Sequence, residues 1–297
     1  MGYKHRLFLS LGHRGFFNWM DDATYLKIAY RLTMGKKLDL EHPTTYNEKL
    51  QWLKLYNRRR EYTDMADKYK VYDFVKKTIG EEYLIPLLGV WNTPEEIPWE
   101  ELPRQFVLKC THDSGGVVIV KDKDAADREK IAAKLRKILK INYFYGDREW
   151  PYKDIEPRII AQAYMTDESC VELKDYKFFC FDGEPAYMFV AKGRQAGSEA
   201  VKFNFYDMDF RLLPFKNGHE NFTEPMEKPL AWEEMKRVAA RLSAGIPHVR
   251  VDLYDINGKV YFGEMTFFHW SGMVPFEPEE WDRIFGERIR LPEKTAK

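Results

Sequence analysis

Apolar positions recur along this chain with two periods. Up to about residue 80 the spacing is helical. Asp21-Asp22 precedes Tyr25, Ile28, Ala29 and Leu32, predicting a capped helix that ends near Gly35. Thr45-Tyr46-Asn47-Glu48 has the capping-box order and opens a helix with Leu50, Trp52, Leu53 and Tyr56, closed by the basic run Asn57-Arg58-Arg59-Arg60. A third helix runs from about Asp67 through Tyr72, Phe74 and Val75 to Gly80. Beyond it the alternation becomes strand-like over 84–91, 106–110, 117–120, 158–165, 176–181, 186–191 and 201–206. Thr93-Pro94-Glu95-Glu96 predicts a second capped turn, where the main boundary is placed. Asp182-Gly183 supplies a tight turn, and helices are predicted over 124–141 and 232–244. The class is α+β with a largely antiparallel sheet.

Residues 249–266 predict a β-hairpin. Val249, Val251 and Leu253 alternate with Arg250, Asp252 and Tyr254, and Asn257-Gly258 tolerates the positive φ of a turn. A two-residue Asn257-Gly258 loop sets Asp252 opposite Gly263 and sends Glu264 to the other face. A three-residue loop, Ile256-Asn257-Gly258 with Gly258 in a bulge, sets Asp252 opposite Phe262 and Arg250 opposite Glu264, and brings Glu264 diagonally onto the Asp252 face. The second register is the chemically suggestive one. Two carboxylates, an arginine and the Thr266 hydroxyl on one half-buried face suit a Mg²⁺ ion with substrate phosphates, or else form an Arg–carboxylate ladder on a solvated face.

Composition narrows the choices. The chain has 297 residues, and Lys plus Arg equals Asp plus Glu, which removes any bulk electrostatic case for nucleic acid. Its 20 Phe, 18 Tyr and 8 Trp serve equally a thick core or a sugar-binding surface. Cys110, Cys170 and Cys180 lack C-x-x-C spacing and read as reduced cysteines of a cytoplasmic protein. No apolar run reaches transmembrane length. The start, Lys4-His5-Arg6 then Leu7-Phe8-Leu9, begins like a signal peptide but is interrupted by His13-Arg14. A helix packed on the domain is expected there, with peripheral membrane contact through Leu7, Leu9, Phe16, Phe17 and Trp19 as the alternative.

Further candidates lie in the loops and strands. Ser114-Gly115-Gly116, in the loop 111–116, lets backbone N–H groups approach an anion, and Lys109 places a charge in an otherwise apolar strand. The sequence there is neither a P-loop nor a G-x-S-x-G elbow. Asp175 and Lys177 share a strand face, and with Lys192 and Lys202 they suggest a polyanion site. Gln162-Ala163-Tyr164-Met165 at a strand end could present backbone groups to a flat heterocycle. Asp207-Met208-Asp209 has the D-x-D pattern of nucleotide-sugar glycosyltransferases, and also that of a surface turn. Of the seven histidines, His112 and His269 flank candidate loops. Trp270, Trp281 and the region of Phe222 are candidate walls of an acceptor pocket.

Together these residues resemble the ATP-grasp enzymes, and more narrowly the TupA-like ATP-grasp family of bacterial surface-polysaccharide clusters. The segments that carry the resemblance are Thr45 to Trp52, Ala66-Asp67-Lys68-Tyr69, Phe106 to Gly116, Asp175 to Gly183 and Val249 to Phe267. The resemblance implies two lobes gripping ATP after a mostly helical N-terminal region. The divisions are 1–85, with part of the preceding lobe; 86–165, the small lobe with the glycine loop; and 166–297, the large lobe with the Mg²⁺ hairpin. It implies Asp252, Glu264 and Thr266 at the metal, Thr266 standing where the family has Asn. Lys68, Lys109, Asp113, Ser114, Gly115 and Gly116 fall to the phosphates, where the strand lysines Lys177 and Lys192 are added as cofactor-binding candidates on the polyanion reading above, and Gln162 to Met165 fall to adenine, Gln162 replacing the usual acid. Arg250 and Lys109 are the implied catalytic residues; no general base is named. The implied reaction joins a carboxylate, such as a uronic acid on a small molecule or saccharide, to an amine through an acyl-phosphate. A glycosyltransferase using Asp207 and Asp209, a sugar kinase on the same fold and a sugar-binding module are the rivals.

Overall fold

The computed structural model describes residues 3–167, 173–193 and 201–294. Cys170 lies outside them; Cys110 and Cys180 are buried free thiols. The helical start comprises α1 (Tyr3–His13), α2 (Asp22–Met34), α3 (Tyr46–Tyr56), α4 (Glu61–Ala66) and α5 (Val71–Thr78). Asp21 caps α2 and Gly35 ends it at φ 70°. Thr45 and Glu48 close the capping box of α3, satisfying two otherwise orphaned donors. The short α4 was not legible in the spacing, and α5 begins later than Asp67.

The smaller sheet contains β1 (Leu87–Trp91), β2 (Phe106–Cys110), β3 (Val118–Val120) and, after α6 (Arg128–Leu139) and α7 (Phe144–Asp147), β4 (Ile159–Ala163), in the order β1-β4-β2-β3. Between β1 and β2, Pro94–Glu96 is a single 3-10 turn whose Thr93 side chain makes no cap, contrary to expectation. Phe106, Leu108 and Cys110 alternate onto the face that packs on Leu135 and Ile138 of α6. Val107 and Lys109 therefore point the other way, beside their ladder partners Gln162 and Ile160.

The larger sheet contains β5 (Asp175–Phe181), β6 (Glu184–Lys192), β7 (Lys202–Asp207) and, after β8 (Lys216–Asn217) and α8 (Trp232–Ser243), β9 (Val249–Ile256) and β10 (Lys259–Thr266), in the order β10-β9-β5-β6-β7. The chain ends in β11 (Phe276–Glu277), paired with β8, and α9 (Glu280–Arg288). Helix α8 covers one face of the larger sheet, with Trp232 against Phe178 at 5.4 Å between rings. The other face carries an aromatic cluster in which Tyr46 of α3, Phe179, Phe276 and Phe285 pack edge to face. The N-terminal helices thus share one continuous core with the larger sheet.

Helix α1 lies against α7, and Phe8 packs on Phe17 at 4.7 Å and on Tyr25 at 4.9 Å. Leu7, Phe16 and Trp19 remain exposed. Among the described residues no helix is long and apolar enough to cross a membrane.

Candidate active site

The hairpin forms with neither expected register. Ile256 pairs with Lys259, so the loop is the two-residue Asn257-Gly258, both with positive φ (55° and 84°), as a type I′ turn requires. Unmodified, that loop would expel Glu264 from the Asp252 face. A β-bulge at Gly263 shifts the ladder by one residue, setting Glu264 directly opposite Asp252 and Thr266 opposite Arg250. The expected pairings of Asp252 with Phe262 and of Arg250 with Glu264 are therefore corrected. A side chain at Gly263 would come within 2.9 Å of the Asp252 carbonyl oxygen, which explains the glycine.

Arg250 organises this face. Its Nε and Nη2 donate to the two oxygens of Asp252, each at 2.7 Å. Nη2 also donates to Glu264 Oε1 at 3.2 Å and Thr266 Oγ1 at 2.9 Å, and Nη1 to His269 Nδ1 at 2.9 Å. Because Nδ1 accepts, His269 is neutral and its Nε2–H donates to Asn217 Oδ1 at 3.0 Å. Burial and the Arg250 charge hold the imidazole well below its ordinary pKa. Lys177 bonds Asp252 and lies 2.5 Å from Asp175. Burial pushes the Asp252 carboxyl up, opposed by Arg250 and Lys177, whose fork and ammonium suit an ionised partner. Burial acts the same way on Glu264, but Lys68, Lys177, Arg250 and Lys109 outweigh it and hold that carboxyl at about 2.

The loop after β2 of the smaller sheet brings Asp113 and Ser114 to a cavity that Lys177, Arg250 and Glu264 also line. Lys109 feels Lys68, Glu264, Asp175 and Lys177, and burial with the neighbouring Lys68 lowers its ammonium to about 8. Four cations (Lys68, Lys109, Lys177, Arg250) thus meet three carboxylates (Asp175, Asp252, Glu264), an arrangement suited to a polyanion. The Lys68 backbone N–H bonds Thr111 O at 3.0 Å, and its ammonium bonds the Asp113 carbonyl. In the glycine loop, the Gly116 N–H is taken by Asp113 Oδ1 at 3.0 Å, while Ser114 and Gly115 are exposed, Gly115 at φ 85°.

Gln162 shares the Lys109 face. Its Nε2 donates to Tyr72 at 2.6 Å, and its Oε1 is buried without a hydrogen-bond partner, an acceptor of the kind that a nucleobase amino group would satisfy. Ala163 ends β4, and Tyr164 and Met165 follow it, half-buried, on the way to the larger sheet.

Other candidates fall elsewhere. Lys177 pairs with Phe189, which shares its face with Ala191, so Lys192 projects from the opposite face, its ammonium over the Phe222 ring at 4.3 Å. Lys202, paired with Lys192 in the ladder, belongs to the same face as Lys192. Asp207 Oδ1 accepts from the backbone of Asp209 and Arg211 at 2.9 Å each, and exposed Asp209 pairs with Arg211, which makes the D-x-D segment a surface turn. Of the acceptor-pocket candidates, Trp270 lines a cavity but Trp281 stacks on Phe215 in the core and Phe222 is buried under Lys192. His112 is buried against the Ile138 carbonyl.

That cavity, about 610 Å³, is bounded by Arg250, Glu264, Thr266, Trp270, Glu149 and Ser271. The last two were missed in the sequence. Glu149 sits in a short charged loop without periodicity, and only the fold brings it to the hairpin.

The donors Asp252, Glu264 and Thr266 are all oxygens, as a hard cation such as Mg²⁺ requires. Glu264, with 39% of its side chain exposed, is the accessible carboxylate, whereas Asp252, at 1%, is held by Arg250. Among the described residues no three His, Cys, Asp or Glu side chains are placed to hold a metal by themselves. A cation between these two acids would complete its shell with phosphate and water oxygens.

Solved structures that the chain matches include the D-alanine–D-alanine ligase from Bacillus anthracis complexed with ATP (15% identity, 75% of this chain and 58% of that chain, TM-score 0.41). Others are the D-alanine–D-alanine ligase from Helicobacter pylori (13%, 83% and 69%, 0.44) and a RimK domain ATP-grasp protein from Sphaerobacter thermophilus (14%, 78% and 68%, 0.43). The chain spans 58% of the Bacillus anthracis enzyme's length. No curated protein matches the chain in sequence. Residues 48–290, from the α3 capping box to the end of the last helix, match the model described as TupA-like ATPgrasp. The chain belongs to the TupA-like ATP-grasp family.

Proposed function

We propose that this chain is an ATP-dependent carboxylate–amine ligase that amidates a uronic acid or similar saccharide carboxylate in surface-polysaccharide biosynthesis. One observation carries the reading: Asp113 and Ser114 of the glycine loop line one cavity with Lys177, Arg250 and Glu264 of the larger sheet, and Lys109 at the base of that loop lies within electrostatic range of Glu264, Asp175 and Lys177. When bound, Mg·ATP supplies the γ-phosphoryl group that converts the carboxylate to an acyl-phosphate. Asp252 and Glu264 would hold the cation. Lys109, Lys68 and Lys177 neutralise negative charge that grows during transfer, at fixed positions that need little reorganisation. Arg250, locked by its fork on Asp252 and by His269, orients the acyl oxygens. Movement of the 113–116 loop would exclude water, which otherwise hydrolyses the activated carboxylate.

The test mixes protein, Mg·ATP, glucuronate and a set of amino acids, and follows nucleotide, phosphate and product mass. ADP, phosphate and an amide are expected. AMP with pyrophosphate, a phosphorylated sugar without free phosphate, or activity that survives Glu264→Ala would overturn the reading.

A further inference from the structure

The turn after β10 is built against its own backbone preferences. Trp270 and Ser271 both adopt left-handed conformations, at φ 49° and 54°, which residues with a side chain rarely take unless their surroundings hold them there. Helix α3 holds them there. Gln51 Nε2 donates to the carbonyls of Ser271 and Gly272, both at 2.9 Å, and Lys54 Nζ to Ser271 O at 2.8 Å. A side chain at Gly272 would lie 2.6 Å from the Gln51 amide, so helix and turn are in close contact. This strain presents the Ser271 hydroxyl to Glu149 Oε1, to which it donates, and Trp270 to the cavity.

Lys54 has no exposed surface, and its three protons go to Gln51 Oε1 (3.0 Å), Asp147 O (2.9 Å) and Ser271 O. It therefore acts on Glu149 through space rather than by a direct bond. Glu149 is thus a carboxylate oriented by one hydroxyl, facing the same cavity as Arg250 and Glu264, and unused in the activation of a carboxylate.

Building on the ligase reading above, we propose that Glu149 and Ser271 form the subsite of a primary amine, with Glu149 the base that accepts a proton from its ammonium group. The freed nitrogen lone pair forms the C–N bond to the acyl carbon. The C–O bond to phosphate breaks with its electron pair on phosphate, and the second nitrogen proton leaves with that phosphate. The surroundings suit a base at neutral pH. Burial raises the carboxyl to about 7, Asp147 adding to the rise and Lys54, Ser271 and Arg250 opposing it; the Tyr152 phenol lies within the same field.

The experiment compares wild type with Glu149→Gln and Ser271→Ala, using Mg·ATP and uronic acids with either hydroxylamine or glycinamide. Hydroxylamine is neutral at working pH and needs no base, so its hydroxamate reports activation alone. Glu149→Gln is expected to keep hydroxamate formation within about threefold while amide formation falls at least about a hundredfold. Ser271→Ala, which removes the hydroxyl that favours the ionised carboxyl, is expected to move the rising limb of the amide pH–rate profile to higher pH. Amide formation by Glu149→Gln within about threefold of wild type overturns the proposal, as does equal loss of both products or an unmoved profile in Ser271→Ala. If wild type forms neither product, it is the ligase reading that fails, and this inference with it.

Discussion

Asp252 and Glu264 face each other across the β9–β10 ladder because Gly263 is an extra residue in one strand. The turn alone would have put them on opposite sides. A single unpaired glycine therefore decides whether the hairpin carries two facing acids or one.

That position leaves little room. A methyl group at Gly263 would lie 2.9 Å from the Asp252 carbonyl and 3.2 Å from the Tyr254 ring. Gly263→Ala is expected to cost about 1–3 kcal/mol by urea unfolding and to weaken Mg·ATP binding, because relief of the clash moves Asp252. Unchanged stability would contradict the tight approach of the strands.

Arg250 and Asp252 are buried together. Removing Arg250 leaves Asp252 with Lys177, which Asp175 shares, so Arg250→Met is expected to destabilise the fold by about 3 kcal/mol, the lower end for a broken buried pair. The double variant Arg250→Met/Asp252→Asn should lose less than the sum of the single losses. Additive losses in chemical unfolding would show that the two groups do not depend on one another.

Glu149 gives stability a pH dependence. Its carboxyl rises to about 7 on folding, from a usual value of about 4.5, chiefly through burial. Between those values the folded chain binds more protons than the unfolded chain, so stability falls as pH rises through this window. Relative to Glu149→Gln, the wild type should lose on the order of 2 kcal/mol between pH ~4.5 and ~7. A difference that stays constant over this range, in unfolding curves at matched ionic strength, would contradict the burial of that charge.

Much of the architecture was legible because its signals are local. The Thr45–Glu48 capping box, the Asp21 cap and the Asn257-Gly258 turn all depend on neighbours within a few residues, and all formed. Lys109 was legible as a charge in an apolar strand, but its face was settled only by the burial of Phe106, Leu108 and Cys110 against α6. The hairpin register was not legible: a bulge is favoured by what packs across the ladder, and Gly263 reads like any other glycine. Lys192 was misplaced because a lysine near a strand end shows its parity only once the pairing is known. Glu149, Ser271 and Lys54 left no signal because their roles arise from contacts between helix α3, the loop after α7 and the turn after β10, which are far apart in sequence.

The account rests on nucleotide binding between the two sheets, and calorimetric titration of Mg·ATP tests it most directly. Wild type and Asp209→Asn should bind with the same affinity, whereas Glu264→Gln and Lys109→Met should each weaken binding at least about tenfold, or ~1.4 kcal/mol. Undiminished binding by Glu264→Gln and Lys109→Met, or its loss in Asp209→Asn, would contradict the account.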